Sequence, residues 1–452
     1  MQIIITGAGE LGRLLAVTLR AEEHDVILVD NSPDMLKQVS DKLDIMTVEG
    51  DCASVASLKK ANVENADALL AVSNDEPANI LACQLAARFG VKQTVCRLYK
   101  SDAFSEEDGI GPASFGIWRT ISPPEEAADK ICAILKREIL LERIRFSCED
   151  AQMLLIEITK SSILAGAAIK NIPGSDMLKS IRFAAILRGN QMIVPHGETI
   201  LTPGDKVYVA GKTESLNAFL DWLQPEERTF RPRLIMTGSD ETGKILAAKA
   251  VDLKYEVIFI EPDRQKAERL MDELPGGVKM IVGSATSEDI LEEAGSASAN
   301  TFISVAADDE DSILSCVIAK RLGARKVICL THKPEYTWIV PAMEMIDCGI
   351  SATLVSVNSI LRQLEAGAMR VDALLQRFRA NLTEFRVSPK SPLCGKALKD
   401  CKLPSSLILA LIFRGNEVII PSGETKIETG DMAVAIVTRE NAREIEPLFP
   451  QK

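Results

Sequence analysis

Two internal duplications constrain the fold of this 452-residue chain more than any other feature of its sequence. The segment IIITGAGELGRLLA begins at Ile3 and recurs as LIMTGSDETGKILA from Leu234, at an offset of 231 residues. A second, unrelated segment follows each copy and recurs at an offset of 226 residues, which pairs Gly189, Pro195 and Gly204 with Gly415, Pro421 and Gly430. Repetition at a fixed offset indicates repeated structural units. The sequence therefore predicts four lobes in the order A, B, A′, B′.

Boundaries between the lobes are predicted near residues 145, 228 and 380. The middle boundary falls in the stretch QPEERTFRPR, whose polar and proline residues are typical of a linker. The predicted lobes are therefore residues 1–144, 145–227, 228–379 and 380–452.

The strand patterns of lobes A and B differ. Lobe A alternates short apolar runs (IIIT, VILV, IMTV, ALLAV, TVCRL) with helical patterns, which predicts a parallel sheet covered on both faces. Lobe B combines short alternating strands with turns at Pro173-Gly174 and Pro203-Gly204-Asp205, which predicts a mixed or antiparallel sheet. The predicted fold class is α/β, with two Rossmann-like parallel-sheet lobes that are each followed by a small α+β C-terminal lobe.

The segment EEAADKICAILKREILLERI, residues 125–144, is predicted to form one helix. Its apolar residues recur at a spacing that places them on one helix face. These residues are Ile131, Ile134, Leu135, Ile139 and Leu141. Such a face either packs on its own lobe or binds a partner, and both interpretations stay open.

The clearest ligand-binding motif follows a predicted strand and begins a predicted helix; it is Gly7-Ala8-Gly9-Glu10-Leu11-Gly12. In such a loop the first glycine permits a tight turn, the second lets the backbone approach a pyrophosphate, and the third allows close helix–sheet contact. Asp30 ends the next strand, where a carboxylate accepts hydrogen bonds from ribose hydroxyls. NAD or an adenine nucleotide is therefore expected over NADP, and a glycine-rich turn without a ligand is the alternative.

Three further strand ends are expected to line the same crevice, because open parallel sheets bind ligands beyond the carboxyl ends of their strands. Asp51 is predicted to contact an adenine amino group, and Arg97 to neutralise phosphate charge. Ser73 and Asn74 are predicted to contact the ribose or the phosphates. The alternatives are a helix cap for Ser73 and Asn74, and a surface ion pair for Arg97.

Glu10 lies inside the phosphate loop, where its carboxylate is favourable near a helix N-terminus but repels a long polyphosphate. The hypothesis that follows is a preference for a diphosphate-bridged ligand such as NAD(H) over ATP.

The second copy of the loop is altered; it is Gly238-Ser239-Asp240-Glu241-Thr242-Gly243. Asp240 replaces the central glycine, so a side chain obstructs close backbone approach and two acids oppose a pyrophosphate. Glu261 keeps the ribose acid, whereas Ala306-Ala307, which lie where the offset has become 233 residues, replace Ser73-Asn74. The second nucleotide site is therefore expected to be weak or empty.

Composition excludes several classes of function. A net charge of −12 and only 4% aromatic residues argue against nucleic-acid binding. The ten cysteines include no CxxC pair and several lie in apolar runs, which favours a reducing compartment over a zinc site. The N-terminus is unlike a signal peptide and no apolar stretch approaches a bilayer span, so any membrane role is expected to be peripheral and cytoplasmic.

The sequence shows no catalytic equipment. Lys244 completes a GxxxxGK pattern, but Ile245 stands where a phosphate-binding P-loop needs serine or threonine. His24, His196 and His332 each lie in a predicted loop rather than in a general-base setting. Binding without turnover is the better interpretation, and an NAD-dependent Rossmann oxidoreductase is the alternative.

Several of these segments together resemble the TrkA family, the nucleotide-binding regulatory subunits of Trk potassium uptake systems. The resemblance rests on GAGELG followed by Asp30, the VEGD turn, AVSNDEPANILACQLA, ISPPEEAA, and a lobe with the pattern RGN…P.GET…GD. The tandem arrangement of two regulator-of-potassium-conductance (RCK) units is similar as well, and the resemblance covers nearly the whole chain.

The resemblance implies a ring subunit, a homotetramer of eight RCK units, beneath a membrane potassium channel or transporter. It implies that NAD(H) or an adenine nucleotide (ADP or ATP) is the regulatory ligand. It places first-site contacts at Gly7 to Leu11, Asp30, Asp51, Ser73, Asn74 and Arg97. Second-site contacts would be Gly238 to Thr242 and Glu261, where Asp240 departs from the family pattern.

Overall fold

The structure is a computed structural model. It describes residues 1–21, 23–41, 43–99, 104–105, 108–146, 148, 150–172, 180–189, 191–224, 231–333, 335–340, 343, 345–364, 373–375, 380–401, 403–404, 407–415, 417–438 and 448. The predicted turn at Pro173-Gly174 and most of the predicted linker QPEERTFRPR lie outside these residues.

The first sheet has six parallel strands in the order β3-β2-β1-β4-β5-β6. The strands are β1 Gln2–Thr6, β2 Asp25–Asp30, β3 Met46–Glu49, β4 Ala68–Ala71, β5 Gln93–Arg97 and β6 Arg119–Ile121. The helices between and after them are α1 Glu10–Ala21, α2 Pro33–Ser40, α3 Val55–Lys60, α4 Glu76–Arg88 and α5 Pro123–Leu135. Strand order reverses between β1 and β4, which creates a crevice at the carboxyl ends of the strands.

The core of this lobe consists of the apolar strands and the inner faces of the helices. Ile4 and Leu69 on adjacent strands are fully buried, as are Ala82 and Cys83 of α4. Cys83 therefore packs as the small apolar residue that its sequence neighbours predict. The packed strands hold the loops of the crevice at fixed positions.

The second sheet is antiparallel and has the order β10-β9-β11-β8-β7. Its elements are β7 Leu140–Arg145, β8 Ala151–Glu157, β9 Ile181–Arg188, β10 Gln191–Ile193, β11 Lys206–Lys212 and α6 Thr213–Leu223. Strand β7 precedes residue 145 but pairs with β8, so it belongs to this sheet. The lobe boundaries at 145, 228 and 380 remain predictions.

The prediction of one helix over residues 125–144 is wrong in its second half. Helix α5 ends at Leu135, and β7 begins at Leu140, so Ile139 and Leu141 are not on the helix. The buried Arg137 side chain fixes the turn by donating to the backbone O of Gln224 and to Asp221. Pairing of β7 with β8 thus overrides the helical spacing, because it supplies hydrogen bonds that a short helix end lacks.

The third sheet repeats the first, in the order β14-β13-β12-β15-β16-β17. Its strands are β12 Arg233–Thr237, β13 Glu256–Glu261, β14 Lys279–Val282, β15 Thr301–Ser304, β16 Lys326–Thr331 and β17 Cys348–Ser351. Its helices are α7 Glu241–Asp252, α8 Arg264–Glu273, α9 Glu288–Glu293, α10 Asp309–Arg321, α11 Tyr336–Ile339 and α12 Ala352–Gln363.

The fourth sheet repeats the second, in the order β18-β19-β22-β20-β21. Its strands are β18 Ala373–Leu375, β19 Ala380–Arg386, β20 Leu407–Arg414, β21 Glu417–Ile419 and β22 Met432–Thr438. The pairing register shifts at Ala184 in β9 and at Ala410 in β20, which lie at the 226-residue offset. The duplication therefore extends to a shared β-bulge, and the structure confirms the predicted fold class.

The lobes form two compact units, each of which combines lobes of the same type. One unit contains both parallel sheets, in residues Met1–Ile131, Pro232–Val340 and Gly349–Gly367. The other contains both antiparallel sheets, in residues Cys132–Arg231, Pro341–Cys348 and Ala368–Lys452.

Within the first unit the two Rossmann-like lobes contact each other through their helices. Helix α12, which follows the last strand of the third sheet, packs against α1 and β6 of the first lobe. The Ser359 hydroxyl of α12 donates to Glu126 Oε1 of α5 at 2.8 Å, and Lys249 of α7 pairs with Asp129 of α5. The terminal helix of each lobe therefore contacts the other lobe.

Candidate functional site: two crevices on one frame

The glycine loop between β1 and α1 has one open face. Gly7 has φ +107°, and a Cβ there would lie 2.7 Å from the backbone of Ser73. A Cβ on Gly12 would lie 1.8 Å from the carbonyl oxygen of Gly7, so both outer glycines are required by the fold. A Cβ on Gly9, by contrast, would meet nothing within 4 Å. Space is therefore left above Gly9, where a pyrophosphate needs to approach the backbone.

Asp30 connects the end of β2 to the glycine loop. Its Oδ2 accepts the N–H of Ala8 at 2.6 Å, and its Oδ1 accepts the N–H of Ser32 at 2.8 Å. Each carboxylate oxygen has further lone pairs, so these bonds leave acceptor capacity for the ribose hydroxyls predicted to bind here. Asp30 thus has a structural role in shaping the loop, which the sequence did not indicate.

The charge of Glu10 is offset within its own helix. Glu10 Oε1 lies 2.5 Å from Nη2 of Arg13, and Nη1 of Arg13 donates to Gln38 Oε1 at 2.6 Å. Leu11 is buried in the core, so only its backbone is available to a ligand. The predicted repulsion between Glu10 and a polyphosphate is therefore weakened by the Arg13 guanidinium.

Asn74 and Arg97 meet across the ends of β4 and β5. Arg97 Nη1 donates to Asn74 Oδ1 at 2.8 Å and to the backbone O of Val72 at 3.2 Å. Burial lowers the pKa of Arg97 from its usual value. Asn74 holds the guanidinium without neutralising its charge, so the cation remains available to an anion at this edge of the crevice.

Ser73 is held by a residue that sequence reasoning missed. Asn79 is fully buried; its Oδ1 accepts from the Ser73 hydroxyl at 2.7 Å and from the Ser73 N–H at 3.0 Å. Its Nδ2 donates to the backbone O of Ser73 at 2.9 Å and of Arg97 at 3.0 Å. Asn79 therefore positions both strand ends of the crevice. The available signal was a polar residue on the apolar face of the predicted helix.

Asp51 lies exposed at the end of β3 and shapes a turn, because its Oδ1 accepts the N–H of Ala53 at 2.9 Å. The Cys52 thiol beside it lies 3.4 Å from the backbone O of Val29. Burial, followed by the Asp30 and Asp51 charges, raises the pKa of Cys52 to about 12. Cys52 is therefore a neutral neighbour of the crevice, and the contact of Asp51 with adenine stays a prediction.

The second glycine loop has a side chain, that of Asp240, at the position of Gly9 in the first loop. Asp240 precedes α7, and its Oδ1 accepts the N–H of Gly243 at 3.1 Å. Burial raises the pKa of Asp240, although backbone N–H groups and the His332 charge act in the opposite direction. A Cβ on Gly243 would lie 1.7 Å from the carbonyl oxygen of Gly238, so the outer glycines keep their structural role. The change in the motif is therefore at its central position, where Asp240 replaces a glycine.

The remaining second-site residues lie on the same backbone arrangement as those of the first site but differ in their polar side chains. Glu261 is buried, and its Oε1 accepts the N–H of Asp263 at 2.9 Å, as Asp30 does with Ser32. Ser239 and Asp240 line the crevice, whereas Thr242 is buried. Ala307 and Leu330 occupy the positions of Asn74 and Arg97, so the cation of the first crevice is missing.

A cavity of about 620 Å³ nevertheless lies at the second crevice. Its wall includes the glycine loop, Glu261 and part of α8, and its volume falls in the range of small-molecule sites. The structure thus provides space at the second crevice, although the sequence predicts that the nucleotide site there is weak or empty.

His332 follows β16 near this cavity and is anchored to α10. Its N–H donates to Oδ1 of the buried Asp309 at 2.9 Å, and its Nδ1 lies 3.2 Å from the same oxygen. The His332 side chain is 40% exposed, in keeping with the predicted loop position. Among the residues that the structure describes, no group of three or more His, Cys, Asp or Glu could hold a metal ion.

Comparisons with known proteins agree with the duplicated architecture. The TrkA-N domain family matches residues 3–107 and 234–351, and the TrkA-C domain family matches residues 153–224 and 382–449. The Trk system potassium uptake protein TrkA of Halomonas elongata is 30% identical over 458 residues, covering 99% of this chain and 98% of that protein.

Two solved structures have the same fold. The RCK domain of GsuK has a TM-score of 0.59 at 17% identity, with 99% of this chain and 94% of that chain covered. The GsuK channel bound to NAD has a TM-score of 0.60 at 17% identity, with 99% and 78% covered. Tandem matches to both domain types and similarity along the whole chain show that this chain belongs to the family of the Trk system potassium uptake protein TrkA.

Proposed function

We propose that this chain is a regulatory subunit of a membrane potassium uptake system, and that it responds to NAD(H) or an adenine nucleotide bound in the first crevice. The observation that carries this proposal is the open space above Gly9, the residue that directly precedes α1 and has no side chain. Free N–H groups and the helix dipole attract a phosphate there. Asp30 and Arg97 flank the space with a ribose acceptor and a cation.

The helix contacts between the two Rossmann-like lobes offer a route by which nucleotide binding changes the arrangement of the lobes. A nucleotide at the N-terminus of α1 lies on a helix that packs against α12 of the other Rossmann-like lobe. A ligand that binds one arrangement of these lobes more tightly shifts the population toward it. A coupling of about 1–3 kcal/mol per site is the usual size of such an effect.

The proposal includes assembly and location. We infer a homotetrameric ring on the cytoplasmic face of the membrane, docked to an integral potassium channel or transporter subunit, and the name of the relative supports the link to a potassium uptake system. No helix among the described residues is long and apolar enough to cross a bilayer. The role assigned to the chain is binding without a catalytic step, and hydride transfer to any substrate, followed by NADH absorbance, would contradict it.

Native mass spectrometry of the full chain with and without NADH tests the proposal. We expect nucleotide on the wild-type ring, and an intact ring without that nucleotide for Asp30→Ala. Glu261→Ala, the corresponding change in the second crevice, is the matched control and should keep the first-site nucleotide. Equal NADH occupancy in wild type and Asp30→Ala would refute the first-crevice site.

A further inference from the structure

Tyr99 is an exposed aromatic side chain at the edge of the first crevice. It lies two residues beyond the end of β5 and is 44% exposed. Among the large apolar side chains that the structure describes as exposed, it is the only aromatic one. Exposure alone does not indicate a ligand, so the inference depends on where the ring lies and what holds it.

The backbone of Tyr99 is fixed on both sides, and its ring lies beside a cation. The Tyr99 N–H donates to Oε1 of Glu76 on α4, and its carbonyl oxygen accepts from the Ser122 hydroxyl at 3.5 Å. The guanidinium carbon of Arg97 lies over the ring, 5.9 Å from its centroid, within the range of a cation–π contact. Arg97 is held in turn by Asn74. Ring and cation therefore form one group at the ends of β4 and β5.

The two halves of the first crevice carry different groups. In the strand order β3-β2-β1-β4-β5-β6, Asp51 and Asp30 lie at the ends of β3 and β2, whereas Arg97 and Tyr99 lie at the end of β5. The glycine loop follows β1, between the two halves. A dinucleotide spans such a crevice, with its pyrophosphate at the glycine loop and one nucleoside on each side. A mononucleotide that uses Asp30 occupies one half only.

The charge of Glu10 does not distinguish these two kinds of ligand. Its Oε1 lies 2.5 Å from Nη2 of Arg13, which offsets the charge. ADP and NAD(H) also carry the same diphosphate, so both meet the glycine loop in the same way. A group that selects a dinucleotide over ADP has to lie in the β4–β5 half, where only the dinucleotide extends.

The second copy has changed both members of the Tyr99 and Arg97 pair. At the 233-residue offset His332 replaces Tyr99 and Leu330 replaces Arg97. The His332 Nδ1 lies 3.2 Å from Oδ1 of the buried Asp309. The exposed tyrosine ring and its cation are therefore features of the first copy.

We propose that Tyr99 makes the first crevice selective for a dinucleotide, NAD(H), over ADP or ATP, because its ring stacks on the nicotinamide ring. This inference rests on the first-crevice site proposed above. Arg97 lies over one face of the Tyr99 ring, so the opposite face receives the nicotinamide in an offset stack. The pyrophosphate then lies above Gly9, and the adenosine lies in the half that contains Asp30.

Calorimetric titration of the full chain with NADH, ADP-ribose and ADP tests this inference. ADP-ribose is NADH without the nicotinamide, so it is the matched ligand. Tyr99→Ala should weaken NADH binding about tenfold, the usual size of one aromatic stack, and leave ADP-ribose and ADP affinities unchanged. Tyr99→Phe keeps the ring and should bind NADH as wild type does.

The control removes a tyrosine from the other Rossmann-like lobe. Tyr336→Ala should leave NADH affinity unchanged, and thermal melting verifies that each variant is folded. Equal losses of NADH and ADP-ribose affinity in Tyr99→Ala would overturn the inference, because they would mean that Tyr99 acts only by holding Arg97. Unchanged NADH affinity in Tyr99→Ala, or wild-type chain that binds ADP as tightly as NADH, would overturn it and leave the first-crevice site intact. Wild-type chain that binds none of the three ligands would contradict the proposed function itself.

Discussion

The two crevices have the same strand order and the same structural glycines, yet they begin the following helix in different ways. Helix α1 follows Gly9, which has no side chain, whereas α7 follows Asp240, whose carboxylate accepts the N–H of Gly243. A helix N-terminus attracts an anion in both cases. In the second crevice that anion is part of the protein.

The positive charge has changed position as well. The first crevice places Arg97 at the end of β5, held by Asn74, whereas the second has Leu330 there and carries Lys266 and Arg269 on α8. Divergence of the two copies has therefore exchanged polar side chains around a preserved backbone. The comparison predicts that exchanging side chains between the copies will exchange their ligand properties.

The largest effect is expected at the glycines that the copies share. Gly12→Ala and Gly243→Ala place a Cβ within 1.8 Å of a carbonyl oxygen, so each should lower the free energy of unfolding by about 3 kcal/mol. Gly9→Ala, which has open space, should change it by less than about 0.5 kcal/mol. Thermal and urea unfolding measure these differences. A destabilising Gly9→Ala would show that the open space is an incorrect description of the loop.

The next largest effect is expected when the first glycine loop is given the helix-capping aspartate of the second. Gly9→Asp gives the first loop the second-copy residue, whose carboxylate should cap α1 and repel the pyrophosphate. We expect NADH affinity to fall about a hundredfold, or about 2.8 kcal/mol, with little change in stability. Calorimetry on the full chain measures the loss, and Gly9→Ala is the uncharged control. Equal affinity for wild type and Gly9→Asp would mean that the ligand does not use this helix end.

A smaller effect is expected from the cation of the first crevice. Asn74→Ala with Arg97→Leu installs the pair present in the second copy and removes one positive charge beside the phosphates. NADH affinity should fall about tenfold, and the loss should shrink as salt is added. Asn79→Ala tests positioning separately, because it keeps the Arg97 side chain but removes the bonds that hold the ends of β4 and β5. If the double variant binds NADH as wild type does, Arg97 has only a structural role.

The parallel sheets and the position of the crevice were predictable from the sequence, because they depend on local patterns that the duplication repeats. Alternating apolar runs, GAGELG and the acids at the strand ends determine the parallel sheets and the place of the crevice. The end of α5 was not predictable, since Ile139 and Leu141 fit a helix until β8 is present to pair with β7.

The site was predictable in outline for a similar reason. Gly7, Gly9 and Asp30 follow a motif with a fixed structural context, whereas Asn79 acts through bonds to Ser73 and Arg97 that only the folded sheet creates. The cations at the second crevice were not predictable, because Lys266 and Arg269 have the sequence pattern of ordinary exposed residues of a helix. Their significance comes from the cavity beside them.

The smallest effect is expected from the charge of Asp240 itself. Burial raises the pKa of this carboxyl above the usual 3.8, so the folded protein binds a proton more tightly than the unfolded chain does. Stability should therefore fall as the pH rises from 3.8 through the raised pKa. Asp240→Asn caps the helix equally well but has no charge, so it should melt at a higher temperature than wild type near neutral pH. The difference should vanish near pH 3, where both side chains are neutral, and a difference independent of pH would mean that the Asp240 charge carries no cost in the second crevice.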